Sequence, residues 1–253
     1  MGSQVVDTTS ASEFMAETME KVSTEELGRI VALLEIKSAE FSSRLAEPGA
    51  ARALDADELR GLLLLVFSAR RKADAILSVV GPARLAAAID DLLHGPLTLP
   101  ERVLAFDDVV YADFPDQGFD LPGELLHFSF PDRYWLWSRW MWDPRTETGS
   151  LALVTADDYD LFAPDRGAAY VRVGEAVTFV NGTGRQVGFT AFGGAGRTDL
   201  FGADVFLACV YAVYMYTVLR LRMTQEFNKI VPELPNLVRR LLGVGRLSVP
   251  EGA

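Results

Sequence analysis

All four tryptophans of this chain stand within eight residues, Trp135, Trp137, Trp140 and Trp142, inside the segment Pro131–Arg145. A buried tryptophan hides roughly 150–250 Å² and carries an N–H that needs an acceptor. Whatever surrounds this segment must therefore supply a large apolar area. Pro131 suits a first helical turn and Pro144 stops a helix, so 131–142 is predicted to be helical. At about 100° per residue, Tyr134, Trp135, Trp137, Ser138, Met141 and Trp142 share an arc of about 160°. Trp140, Leu136, Arg133 and Arg139 cover the remainder. One face cannot hold all four rings, so part of the segment is expected to be core.

Arg133, Arg139 and Arg145 are interleaved with the rings and are the only basic residues in 105–165, a stretch holding 13 Asp and Glu. On a helix, Arg133 lies four residues from Trp137, and Trp135 lies four from Arg139. Either pair has the spacing of a cation–π contact worth ~0.5–2 kcal/mol. Three readings stay open. The segment is a core element whose arginines pair with neighbouring carboxylates, an interface hot spot, or a surface for an anionic or planar ligand.

The N-terminal half has helical periodicity. Thr24 opens a helix through Leu27, Ile30, Val31, Leu34 and Phe41, which Pro48-Gly49 ends. A second begins near Asp55, with Glu58 three residues on, and is expected to continue past Phe67 to Leu77. A third runs from Pro82 to His94, and a fourth begins at Leu99-Pro100-Glu101. Residues 113–123 are read as a loop and a short helix is placed at Glu124–Phe128. After Gly149, stretches rich in Val, Phe, Tyr and Thr flank Asn181-Gly182-Thr183-Gly184, a hairpin-turn sequence. A small antiparallel sheet is therefore expected at about 150–193. An apolar helix at 199–223 and a last helix at Glu233–Leu242 close the chain. The predicted class is α+β, with an N-terminal helical region (1–112) and a second region (124–253) packed as one globular unit.

The net charge of −11 argues against broad binding of a phosphate backbone. Residues 217–253 carry the opposite sign, with six Lys and Arg against three Glu. Cys209 is the single cysteine, so no intrachain disulfide forms. Met1–Glu20 shows no basic and apolar leader pattern, and a cytoplasmic location is expected. The apolar run 203–219 is near the lower length for a membrane span, but three tyrosines sit near its middle. A buried core helix is the favoured reading there.

Ala191–Thr198 resembles a Walker A phosphate loop, with Gly193, Gly194 and Gly196 followed by Arg197 and Thr198. Arginine stands where that motif has lysine, and the preceding stretch reads as a hairpin strand rather than a parallel one. His94 and His127 lack a third partner at metal-ligand spacing, and no metal site or cofactor is assigned. The acidic pairs Asp90-Asp91 and Asp107-Asp108 and the trio Asp157, Asp158 and Asp160 read first as solvated surface.

The function expected from these residues is a binding or assembly protein that contacts a protein partner, a second copy of itself or an anionic ligand through 131–145. The alternatives are an enzyme with an arginine-lined pocket for an anionic small molecule or nucleotide, using His127 or an aspartate for proton transfer, and a membrane-associated protein anchored by 203–219.

Overall fold

Local capping signals account for most helix starts. A computed structural model of the chain describes residues 5–112, 120–188, 192, 200–222 and 233–249. Eleven α-helices lie among them. The Asp7 carboxylate accepts the amides of Thr9 and Ser10 and starts α1, Thr8–Met19. Ser23, rather than Thr24, caps α2 (Thr24–Leu45) by accepting the Glu26 amide. After the short α3 (Ala50–Ala53), the expected Asp55–Glu58 capping box opens α4, Ala56–Leu65. α5 is Ala73–Val80. Pro82 begins α6 (Pro82–His94), and a Thr98–Glu101 capping box begins α7 (Leu99–Val110). α8 (Asp120–Ser129) is buried at every residue. α9 is Arg166–Val187, α10 Gly202–Arg222 and α11 Leu234–Leu241.

The α+β class is overturned. Among the described residues there is no sheet, only the isolated bridges Val6–Thr155 and Asp143–Thr148. The stretch read as two strands and a hairpin is the 22-residue helix α9, and Asn181–Gly184 lies inside it. Burial shows why. Ala169, Tyr170, Val173, Ala176, Val177 and Val180 are all buried, whereas Val171 and Phe179 are exposed. Those buried positions recur at the 3–4 spacing of a helix face. β-Branched and aromatic content suggested strands, but burial of one helical stripe outweighs a propensity spanning only about 1 kcal/mol. Residues 151–153 form a 3₁₀ turn rather than a strand.

The helix expected to run from Asp55 through Leu77 is instead broken between α4 and α5. Val66 adopts extended geometry. The break leaves the Phe67 amide free of helical bonding, and it donates to the Glu124 carboxylate at 3.2 Å.

By its internal contacts the chain divides into two units. One comprises Met1–Glu35, Trp140–Asp160 and Ala176–Ala253; the other comprises Ile36–Arg139 and Leu161–Glu175. In the first, α10 packs against α1 and α11. In the second, α6 packs against α3, α5, α7 and α8. No helix among the described residues is long and apolar enough to cross a membrane.

Candidate functional site

The aromatic segment is not a helix. Residues 134–138 run without regular structure, between turns at 131–133 and 139–141. Several backbone groups here are bonded by side chains from other parts of the chain, which offers an alternative to a helical ladder. The Tyr134 carbonyl accepts from His127 Nδ1 at 2.8 Å, the Trp135 carbonyl from the Tyr170 hydroxyl at 2.7 Å, and the Arg139 amide donates to Asp120 at 2.6 Å. Beyond them, the Trp140 and Met141 carbonyls accept from the Ser150 and Leu151 amides, both at 3.0 Å. Without helical winding, successive rings are free to face different sides.

Trp137, Trp140 and Trp142 are buried, and Trp135 is half-buried. Each arginine has a carboxylate beside it. Arg133 is exposed, with its guanidinium 5.2 Å from the Phe130 ring centre and 4.0 Å from Asp132. The Arg139 side chain reaches Asp120 at 3.3 Å. Arg145 binds Asp143 through its amide, Nε and Nη2 at 3.0, 3.3 and 3.2 Å. Arg133 and Arg139 are thus drawn to different partners, and His127, fully buried, is committed to the Tyr134 carbonyl. The expected pairings of Arg133 with Trp137 and of Trp135 with Arg139 rested on a helix that does not form. Gly193, Gly194, Gly196, Arg197 and Thr198 lie outside the described residues.

The other candidates have structural partners. His94 Nε2 donates to the Leu45 carbonyl at 2.8 Å. Asp90 accepts the Gly49 amide and Arg52 Nε at 2.7 and 2.9 Å, and Asp91 accepts Arg52 Nη2 at 2.6 Å. Asp157, Asp158 and Asp160 are exposed, and no metal-holding cluster occurs among the described residues. Burial pushes the Cys209 thiol up to about 12, so it is a poor nucleophile at neutral pH.

The second unit instead contains a row of buried charges that the sequence reading missed or assigned to surface. Lys37 on α2 is fully buried and donates to Glu124 on α8 at 2.5 Å. Its ammonium also sits 4.0 Å from the Phe128 ring centre. One turn before Glu124, Asp120 binds Arg139 and the Ser68 hydroxyl. Burial raises both carboxyls above the ordinary range, while Lys37 and Arg139 oppose the rise. Asp107 of α7 and Tyr111, the residue that caps its C-terminus, stand four residues apart. Burial and the charges of Asp107 and Asp120 raise the Tyr111 phenol well above its usual value. A signal was present: Lys37 falls between Leu34 and Phe41 on the apolar stripe of α2, and Asp107 lies beside Val103 and Val110 on that of α7.

Asp107 is where this row meets the surface. It lines a cleft of about 470 Å³ with Leu104, Asp108, Tyr111, Asp165 and Arg166. Oδ2 accepts from Arg166 Nη1 at 3.2 Å. The same guanidinium lies 4.7 Å from the Tyr111 ring centre. Oδ1 is buried and accepts no hydrogen bond. Burial pushes the Asp107 carboxyl up to about 7, helped by the charge of Asp108 and opposed by Arg166. Asp165 caps α9 by accepting the Ala168 amide at 2.8 Å. The cleft thus holds three carboxylates against one guanidinium, with a carboxyl that changes charge near neutrality.

No protein-family model matches the chain, and no curated protein or solved structure is significantly similar to it.

Proposed function

We propose that this protein is a binding protein whose α7–α9 cleft takes a small organic cation, with Asp107 as its anchor. The observation that carries this reading is the Asp107 carboxylate: 93% of the residue is buried, one oxygen is held by Arg166 and the other is left without a donor. A buried acceptor left unmade costs roughly 1–3 kcal/mol, and a ligand N–H would remove that cost. Asp108 and Asp165 add negative potential at the rim, which favours a cation over an anion. Arg166 keeps the carboxylate oriented and the Tyr111 ring forms a wall. A cationic ligand binds the ionised form of Asp107, so affinity rises with pH through about 7.

Calorimetric titration with butylamine, 1,4-diaminobutane and butyrate tests the reading. One or both amines should bind at pH 8 and bind more weakly at pH 6, with butyrate inert and Asp107→Asn abolishing the heat. No amine binding at pH 8, or equal binding by the variant, would overturn it.

A further inference from the structure

The opposite face of α7 borders a different cavity. Arg102, Ala105, Phe106 and Val109 follow the i, i+3, i+4, i+7 spacing of one helix face, about 160° away from Leu104, Asp107, Asp108 and Tyr111. With Leu92 of α6 and Leu97 of the α6–α7 connection, they line a groove of about 310 Å³. That volume lies within the ~300–1,000 Å³ typical of ligand pockets. The lining of the groove is apolar apart from Arg102 and Asp91, and Asp91 is already paired with Arg52. Leu97 stands at the groove 52% exposed, an apolar side chain that burial by a ligand would stabilise.

Arg102 is the informative residue. Its Nη1 donates to the carbonyls of Leu92 and Leu93 at 2.7 and 2.9 Å, and its Nη2 to the Tyr134 hydroxyl at 3.2 Å. These acceptors are all neutral. Among the described residues no carboxylate lies within 4 Å of this guanidinium, and its Nε is buried and donates to nothing. The last turn of α6 offers only the partial negative charge of a helix end. A part-buried guanidinium with an unpartnered N–H, in the lining of an apolar groove, has the complement of one ligand class: an acid group on an apolar body.

We propose that the α6–α7 groove is a second binding site, for an amphipathic carboxylate whose acid oxygen accepts from Arg102 Nε and whose hydrocarbon lies against Leu97, Phe106 and Val109. The site is independent of the Asp107 cleft and of the cation reading made there.

Octanoate is the probe, with octylamine and octanol of matched length as controls. Calorimetry on the full chain should give one octanoate site and binding weaker by about tenfold or more for both controls, the size expected from losing one charge-assisted hydrogen bond. The amide spectrum of ¹⁵N-labelled protein should show the Arg102 Nε–H resonance moving on octanoate addition. Arg102→Met should lose binding by about tenfold or more. Because that variant also loses the contacts closing α6, Ala105→Phe provides a second test: Ala105 is exposed and lines the groove, and the larger ring takes up its space while leaving the hydrogen bonds of Arg102 to α6 in place. It should block octanoate while melting like the wild type. Absent octanoate binding, equal binding of the amine, an unmoved Arg102 resonance, or full octanoate affinity in Ala105→Phe would each overturn the proposal.

Discussion

Gly123 of α8 lies so close to Trp137 that a Cβ placed on it would stand 2.3 Å from the Trp137 carbonyl oxygen. The clash is with backbone, which no rotamer change relieves. The aromatic segment can approach the buried helix this closely only because residue 123 has no side chain. Gly123→Ala is therefore expected to cost about 3 kcal/mol or more, beyond ordinary overpacking, and denaturant melts against wild type would show it. Wild-type stability would mean that the segment does not lie on α8 as described.

The tryptophans should differ sharply in their contribution to stability. Trp137 is 1% exposed and Trp135 half-buried. Trp137→Ala is expected to destabilise by about 3–5 kcal/mol and Trp135→Ala by well under half of that. Equal losses in urea unfolding would contradict this ordering.

Lys37 and Glu124 have little solvent to replace a missing partner. Lys37→Met should cost about 3–5 kcal/mol, because it leaves Glu124 charged and unpaired or forces its protonation. Adding Glu124→Gln retains an acceptor for the Phe67 amide and removes the charge, so the double variant should regain much of the loss. A double-mutant cycle measures the coupling, and additive losses would show that the pair is not coupled.

Asp107 sets a slope in stability against pH. Its folded value of about 7 lies above the ordinary 3.8. Between those values the folded state holds a proton that the unfolded chain lacks. The site's contribution to stability is therefore fully present below about pH 4 and is lost as pH rises through 7. Asp107→Asn removes this titration, so the variant should gain on wild type by roughly 4 kcal/mol between pH 4 and 8. Parallel pH profiles for the two proteins would rule out the raised value.

Gly182 separates a helix from a hairpin. Within α9 it is exposed, and a Cβ there would meet nothing within 4 Å. Gly182→Ala should stabilise a helix interior by about 0.5–1 kcal/mol. In an Asn-Gly hairpin turn, where the glycine takes positive φ, the same change destabilises. The sign of the change in melting temperature decides.

Legibility followed the range of the interactions involved. Asp55 with Glu58, Thr98 with Glu101, and Pro82 mark helix starts through contacts within four residues, and those starts were readable. The buried residues of α9 already showed helical spacing, but Asn181–Gly184 and the β-branched residues carried a competing local signal. Of the candidate site, Asp107 was visible only as half of an acidic pair. Its place beside Val103 and Val110 on an apolar stripe marked it for burial. Arg102 gave no sequence signal, since its significance depends on which neutral groups its other nitrogens meet.

The sequence by itself determined where many helices begin and that the aromatic segment needs extensive cover, because capping and the area of four indole rings are local quantities. Tertiary structure decided that this segment runs without regular structure rather than as a helix, that the helix breaks between α4 and α5, and that Lys37 meets Glu124. Each of those outcomes depends on partners outside the local segment: His127, Tyr170 and Asp120 bond the Tyr134 and Trp135 carbonyls and the Arg139 amide, and Glu124 receives the amide of Phe67. Local preferences differ by about 1 kcal/mol or less, whereas leaving a buried polar group unpaired costs about 1–3 kcal/mol, so the distant partners prevail.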